Sequence, residues 1–405
     1  MTTPTLPRDG LQELLAAVDG QRMTATVAAL AGESFAGRRT GSAGGAAARA
    51  WLGRRLAELG AEVRFDGFTA HSVPETYAAP EVCWHDETEA HGLRFGRQVL
   101  PHMASAEQPL VRQGALAVAG DGDPSGRWLV VPQQMSLFEA CGHGDGALGL
   151  LIRRAPDDDG WHYTMLAGSA PGPVPVLTID PATHEALRRA AEDRQGWLAG
   201  NVPIRRLDVP AANVHARWRP PGILLTAHYD GVGDLPGLRQ PSASDNATGV
   251  AVVLEAARIL APVLPGFAVT LLDAEEVGAL GSAHDARQLR TGGVTPQVIN
   301  VDGVGVLHDA VSVEAGGPAH ALLAALDQAG RHTGVPLKAG PVASDNRRYA
   351  AAGFASIGIG AGMAGYHSPA DAPDRVQTGA FTTVTQLVVA TVWLAAGKLS
   401  SLIGD

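Results

Sequence analysis

The chain has 405 residues, of which 45% are hydrophobic and 18% charged, a composition typical of a folded globular protein. Its 31 basic and 41 acidic residues give a net charge of −10, which disfavours nucleic acid as a partner because phosphate binding requires clustered Lys and Arg. This length exceeds one small core and indicates two or three structural units.

The N-terminal segment, residues 1–20, has no basic stretch followed by an unbroken apolar run, so we expect no secretory signal. No stretch approaches the roughly 20 uninterrupted apolar residues of a membrane span. The two cysteines, Cys83 and Cys141, are predicted to be buried free thiols. We therefore expect a cytoplasmic protein with no membrane partner, and the sequence leaves its oligomeric state open.

The first 70 residues are predicted to be mostly helical. Apolar residues recur at helical spacing between positions 22 and 62, and the clearest helix, Gly44–Leu59, is followed by a short strand over Ala61–Phe65. From residue 71 to 207 the pattern changes to short apolar runs separated by Gly, Pro and Asp, which indicates a β-rich module. These runs are Ala115–Val118, Trp128–Val131, Leu148–Ile152 and Val174–Ile179.

From Pro210 onward, strands alternate with helices. The predicted strands are Ile223–Ala227, Phe267–Leu272, Val298–Val301 and Ser356–Ile359, and the predicted helices are Gly249–Leu260, Gly278–Arg290, Ala319–His332 and Ala380–Ala396. Alternation of this kind predicts an α/β fold, with a mixed, mostly parallel sheet sandwiched by helices. We therefore divide the chain into an N-terminal part of this domain (1–70), a β-rich inserted domain (71–207) and the main domain (208–405).

Ionisable residues follow the strands of the main domain directly. His228 and Asp230 follow the first strand, Glu275 and Glu276 the second, and Asp302 the third. Because sites in open α/β sheets form beyond the carboxyl ends of the strands, these groups should converge in space. Clustered carboxylates repel one another, and no Lys or Arg lies in these segments to neutralise them, so a bound metal is indicated. Mixed His and carboxylate ligands are typical of zinc.

Two further segments add to this ligand set. Asp245 lies in a loop before a predicted helix, and His367 lies in the segment Gly365-Tyr366-His367-Ser-Pro-Ala-Asp371. With one residue of the Glu pair set aside, the candidates are two His and three carboxylates. A single zinc needs about three protein ligands, whereas five suit a pair of metals bridged by one carboxylate.

The pattern resembles the co-catalytic dizinc aminopeptidases, which share metallopeptidase family twenty-eight (clan MH) with glutamate carboxypeptidase and the transferrin receptor. The resemblance rests on five pieces that occur in the family's order across residues 222–375. These pieces are His228-Tyr-Asp230, Asp245-Asn-Ala-Thr-Gly249, Glu275-Glu276, Asn300-Val-Asp302 and His367-Ser-Pro-Ala-Asp371. The segment Glu33–Gly41 also resembles the family's N-terminal portion, and the β-rich segment resembles a protease-associated insert. The resemblance implies the zinc-exopeptidase fold.

It also implies a role for each site residue. Asp245 would bridge two Zn²⁺ ions, with His228 and Asp302 completing one site and Glu276 and His367 the other. Cobalt or manganese could occupy the same ligands.

Glu275 would be the general base, taking a proton from a metal-bridging water as it attacks the peptide carbonyl. Asp230 would fix the tautomer of His228, and Asp371 would do the same for His367. Tyr366 would hydrogen-bond the tetrahedral intermediate.

The chain departs from the family at two positions. Asn246 follows the bridging aspartate where relatives often have Asp or Pro, and that peptide bond is cis in the family. Asn346 replaces the His of the family's Ser-Asp-His segment, which lies near the substrate in relatives. Asp345, Asn346 and Arg347 are therefore candidate substrate-binding residues, and the change puts the substrate preference in question.

The sequence therefore predicts a zinc-dependent exopeptidase, first an aminopeptidase that releases N-terminal residues from small peptide substrates. The alternative is a carboxypeptidase or amidohydrolase of the same family acting on acidic dipeptides or a specialised metabolite, because Arg347 and Arg348 could bind a terminal carboxylate. A non-catalytic binding protein on this fold would have lost ligands or the base, whereas this chain retains the five metal ligands and the base. A cyclase-like transferase would use a single zinc. The chain contains no Gly-x-Ser-x-Gly elbow, so a serine hydrolase is not indicated.

Overall fold

A computed structural model of the protein describes residues 10–86, 89–164, 171–218, 222–264 and 266–403. Residues 1–9, part of the segment examined for a secretory signal, lie outside the described residues. The described part contains two mixed sheets of eight strands each. The α/β fold class expected from the sequence is confirmed.

The first sheet is built from both ends of the described chain. In spatial order its strands are β1 (Glu62–Thr76), β10 (Ile204–Arg217), β12 (Phe267–Leu272), β11 (Ile223–His228), β13 (Gln297–Val301), β16 (Ser356–Gly360), β14 (Val311–Gly316) and β15 (Leu337–Ala339). The four central strands, from β12 to β16, run parallel, whereas β1 and β10 pair antiparallel at one edge. The carboxyl ends of the central strands therefore share one edge of the sheet.

Helices cover both faces of this sheet, because alternate side chains of its strands are apolar on each side. Ile223 and Leu225 of β11 belong to one core and Leu224 to the other. The larger core lies under α1 (Gly10–Ala16), α2 (Gly20–Leu30), α3 (Ala43–Glu58), α6 (Thr248–Leu260), α8 (His320–Thr333) and α10 (Thr378–Ile403). The smaller core lies under α7 (Leu280–Thr291) and α9 (Asn346–Ala351).

The second sheet is formed by the chain between β1 and β10. Its strands, in spatial order, are β3 (Ala90–Gly92), β2 (Val82–His85), β9 (Trp197–Val202), β5 (Gln108–Val118), β6 (Trp128–Val130), β7 (Gly149–Arg153), β8 (Val176–Ile179) and β4 (Val99–Pro101). Two helices, α4 (Leu137–Gly142) and α5 (Pro181–Glu192), accompany it. Buried side chains of this sheet, such as Trp128, form a core separate from that of the first sheet. We call this part of the chain the second-sheet domain.

The strand expected over Ala61–Phe65 is much longer in the structure. β1 has 15 residues because it pairs with β10 from Glu62 to Thr76, with one register shift between Ala70 and Val73. Many of its side chains are exposed, so it lacks the apolar run by which strands are recognised. The partner strand, and not its own composition, determines its length.

One helical segment, Thr378–Gly397 within α10, is long and apolar enough to cross a membrane by length and composition alone, which the sequence analysis had not identified. Because 67% of its apolar window is buried inside the protein, it matches the core helix of a folded domain equally well. Both cysteines are free, as expected, but they are half-buried and not fully buried.

Candidate metal centre

Three predicted ligands emerge from adjacent strands of the first sheet. His228 is the last residue of β11, Glu276 lies just after β12, and Asp302 directly follows β13. Asp245 lies in the loop before α6, and His367 lies in the loop after β16. All five side chains are buried at the carboxyl edge of the parallel strands.

The five side chains form two triads that share Asp245. In the first, His228 Nε2 lies 3.2 Å from Asp245 Oδ1 and 3.5 Å from Asp302 Oδ1. In the second, His367 Nε2 lies 3.1 Å from Asp245 Oδ2 and 3.0 Å from Glu276 Oε2. Because each oxygen of Asp245 faces a different triad, this carboxylate can bridge two metal ions.

Unpartnered buried atoms indicate that the triads suit cations. His228 Nε2, both carboxylate oxygens of Glu276 and Asp302 Oδ1 are buried without a hydrogen-bond partner. Leaving such atoms unpaired costs about 1–3 kcal/mol each, more for charged groups, unless another species binds them. Imidazole nitrogen with carboxylate oxygen is a donor set that zinc accepts, so the residues present fit two zinc ions.

Mutual repulsion and burial govern the charges of these groups. Burial, together with the neighbouring Asp245 charge, raises the pKa of Glu276 to about 7 against the opposing effect of His367. Burial opposes the charged form of His228, but Asp302, Asp230 and Asp245 together raise its pKa well above the usual value. The centre thus attracts positive charge, whether protons or metal ions.

Asp230 supports both the ligands and the predicted base. Its carboxylate accepts the backbone N–H groups of Glu275 (3.1 Å) and Glu276 (3.2 Å). His228 Nδ1 lies 3.2 Å from the Asp230 carbonyl oxygen and 3.5 Å from its carboxylate Oδ1. The single aspartate therefore joins the ends of β11 and β12.

The role expected for Asp371 is wrong. Its carboxylate accepts the backbone N–H groups of Ser244 and, at 3.0 Å, of Asp245, so it orients the bridging residue and not His367. His367 Nδ1 instead contacts the backbone carbonyl of Thr164 at 3.0 Å. Thr164 belongs to the second-sheet domain and is 203 residues away in the chain, so local sequence gave no signal for it.

Asn246 connects the bridging loop to the neighbouring strand. Its side-chain amide donates to Val301 O at 2.9 Å and accepts from Gly249 N at 2.9 Å. The Asp245–Asn246 peptide bond is cis, as the family resemblance implied. The departure at this position thus retains a side chain that ties Asp245 to the end of β13.

Arg38 was not predicted as a functional residue, although it lies in the segment Glu33–Gly41 that resembles the family's N-terminal portion. Arg38 is fully buried, and its guanidinium donates to four backbone carbonyls, those of Leu30, Tyr229, Pro241 and Ser242. Its charge also faces the carboxylates of the centre, of which Asp371 interacts most strongly. The expectation that no cation accompanies these carboxylates therefore holds for their own segments but not for the folded protein.

The predicted base and phenol lie at the edge of the centre. Glu275 is half-buried, and burial with the nearby carboxylates of Asp345 and Asp302 raises its pKa well above the ordinary value despite His228. Tyr366 is 44% exposed, and its ring stacks on that of His367 with 3.6 Å between centroids. Both groups therefore remain nearer to solvent than the ligands.

The candidate substrate residues differ from one another in position. Asp345 is fully buried with both carboxylate oxygens unpartnered, and burial raises its pKa to about 7. Asn346 is buried against Gly358, where an added Cβ would meet its side chain at 2.7 Å. Arg347 is exposed and donates to Glu314 at 2.7 Å, while Arg348 donates to Gly278 O at 2.6 Å. Both arginines thus already bind partners within the protein.

The two triads around the shared Asp245 carboxylate form a centre that can hold metal ions. Residues 213–392 match the model for peptidase family M28, which confirms the resemblance drawn from the motifs. The chain is 28% identical over 214 residues to Aminopeptidase YwaD of Bacillus subtilis (strain 168), a match covering 49% of this chain and 46% of the relative. The match thus spans about half the length of that curated relative.

Solved structures share the fold over nearly the whole chain. BSAP, a zinc aminopeptidase from Bacillus subtilis, superposes with a TM-score of 0.72 and 20% identity, covering 93% of this chain and 95% of that one. An aminopeptidase from Aneurinibacillus sp. strain AM-1 gives a TM-score of 0.73 and 20% identity, covering 95% and 96%. The similarity includes the second-sheet domain, since coverage this high leaves no room to omit it.

Proposed function

We propose that this chain is a zinc-dependent exopeptidase, specifically a dizinc aminopeptidase that releases N-terminal residues from small peptides. The observation that carries the proposal is the shared carboxylate of Asp245, whose two oxygens lie 3.2 and 3.1 Å from the Nε2 atoms of His228 and His367. The match of residues 213–392 to the M28 family model and the aminopeptidase names of the similar proteins support it.

The side chains of the centre have distinct tasks in this reaction. Zinc, when bound, supplies Lewis acidity that polarises a peptide carbonyl and acidifies water. Glu275 is the general base: its carboxylate receives a proton from the attacking water and passes it to the leaving amine. Asp230 fixes the backbone of Glu275, and Tyr366, stacked on His367, carries the hydroxyl that would donate to the developing oxyanion.

The arginine contacts favour an aminopeptidase over a carboxypeptidase. A carboxypeptidase needs a cation to bind the substrate's terminal carboxylate, and the two arginines that could serve are bound to Glu314 and to a backbone carbonyl. Recruiting Arg347 would break an existing ion pair. The intact ligand set and base disfavour a non-catalytic binding protein, and the two triads disfavour a cyclase that uses one zinc.

A metal count combined with a choice of substrates tests the proposal. The purified protein, loaded with zinc and freed of excess metal, should contain two zinc ions per chain by elemental analysis. It should hydrolyse aminoacyl p-nitroanilides and leave N-acylated dipeptides intact. Activity on N-blocked substrates alone would reject the aminopeptidase assignment, and one tightly bound zinc per chain would reject the dizinc centre. Parallel loading with Co²⁺ or Mn²⁺ identifies which metal gives the highest activity.

A further inference from the structure

A segment of the second-sheet domain, Asp157–Thr164, lies against the loop that carries His367. At one end, the backbone of Thr164 contacts both the backbone and the ring of His367: Thr164 N donates to His367 O at 2.9 Å, and His367 Nδ1 lies 3.0 Å from Thr164 O. At the other end, Ser368 Oγ donates to Asp157 Oδ2 at 2.6 Å. The segment therefore holds both the backbone and the imidazole ring of this predicted ligand.

His367 needs such support because of its backbone conformation. Its φ of 52° lies in the left-handed region, which costs a residue with a side chain about 1–2 kcal/mol. Residues keep this conformation only where the surroundings impose it. The contacts to Thr164 fix the peptide on the carbonyl side and the ring at once, which leaves Nε2 directed at Asp245 and Glu276.

The supporting segment is itself rigidly attached to its own domain. Asp157 Oδ1 accepts Trp161 N at 2.7 Å, and the adjoining Asp157 N donates to Trp161 O at 2.8 Å, so the turn is closed on both sides. His162 N donates to Gly96 O at 2.8 Å, and the guanidinium of Arg97 lies 3.2 Å from the Trp161 ring centre. A segment held in this way can impose a geometry on its neighbour and need not merely follow it.

We infer that the Asp157–Thr164 segment is a positioning element for His367, so that the second-sheet domain forms part of the metal centre. The inference rests on the proposed zinc-binding function. The ring nitrogen of a metal-bound His that does not face the metal needs an acceptor, which sets the tautomer and aims the other nitrogen. Here that acceptor is supplied by the second-sheet domain, and the Asp157–Ser368 hydrogen bond keeps the two loops in register.

A double-mutant cycle on zinc affinity tests this coupling. Zinc is titrated against a chromogenic chelator for the full-length protein, D157A, S368A and the double variant. The variant H367N identifies which of the two zinc-binding steps belongs to the His367 triad. Loss of a group that orients a ligand costs about 10–100-fold in metal affinity. We expect each single variant to lower the zinc affinity of the His367 triad by about tenfold or more. The double variant should be no weaker than the weaker single variant, because both remove the same hydrogen bond.

Asp123 provides a matched control, since it also closes a turn of the second-sheet domain by accepting Ser125 N (3.0 Å) but lies exposed. D123A should leave both zinc affinities unchanged, and the His228 step should be unchanged in every variant. The inference is overturned by unchanged zinc affinity in D157A and S368A, by independent effects in the double variant, or by equal weakening of both steps. Wild-type protein that binds no zinc would reject the proposed function as well, whereas tight zinc binding indifferent to these substitutions rejects the positioning role alone.

Discussion

Replacing Arg38 should destabilise the protein more than replacing an exposed arginine. Its guanidinium is fully buried and donates four hydrogen bonds of 2.7–3.0 Å to backbone carbonyls. Two of these carbonyls, at Tyr229 and Ser242, adjoin the segments that carry His228 and Asp245. R38M keeps an apolar chain of similar length in the same space but removes every donor.

The contacts set the size of the effect. Hydrogen bonds from a charged group contribute about 1.5–3 kcal/mol each, so four give a gross value of about 6–12 kcal/mol. Burying the guanidinium costs part of that value, and removing one side of a buried charged network typically costs about 3–5 kcal/mol. Against a total stability of about 5–15 kcal/mol, R38M should lose about a fifth or more of the free energy of unfolding.

Urea denaturation of the zinc-loaded protein measures this loss. With a slope of about 3 kcal/mol per molar urea, the midpoint should fall by about 1 M. R38K should also be destabilised, because three donors on one nitrogen cannot reach four separated carbonyls. The control is R22M, whose side chain is 61% exposed and lies 3.9 Å from Asp19. Equal midpoints for R38M and R22M would refute the reasoning.

Three further predictions concern the centre and its surroundings. E275Q should lower kcat by about 10²–10⁴-fold with two zinc ions retained, because the amide cannot accept the proton. D371A should weaken zinc binding by about tenfold, since it frees the backbone of the bridging Asp245. Burial lowers the pKa of His215 to about 4, so that, as the pH falls, the unfolded chain takes up this proton before the folded protein does. The contribution of the neutral imidazole to the free energy of unfolding is therefore complete above pH 6.5 and is lost as the pH falls towards 4. H215Q should therefore remove up to about 3 kcal/mol of acid destabilisation between these pH values.

Each of these predictions has an outcome that contradicts it. Full activity of E275Q at two zinc ions per chain would assign the proton transfer to another group. Unchanged zinc affinity in D371A would mean that Asp245 keeps its orientation without this support. Parallel stability curves of the wild type and H215Q from pH 7 to 4 would show that this imidazole does not titrate between the folded and unfolded states.

The ligands could be identified from sequence because each follows an apolar strand or loop of the same sheet. His228, Glu276 and Asp302 are placed by strands that are recognisable from their own composition, and parallel pairing brings those strand ends to one edge. The order of the family motifs along the chain then indicated that Asp245 and His367 complete the ligand set. Helices such as α6 were equally evident, because their apolar faces are long and locally encoded.

The four central strands of the first sheet, the longer helices that cover it after residue 248 and the residues that gather at the centre could therefore be predicted from sequence alone. The groups that hold those residues in place are seen only in the folded protein: Thr164 contacts His367, Arg38 lies beneath the ligand loops, and Asp371 binds the backbone of Asp245. These contacts join residues 203, 191 and 126 positions apart, and they form through backbone groups. Every residue carries the same backbone groups, so composition and spacing contain no signal for such pairs, and chain folding alone brings them together.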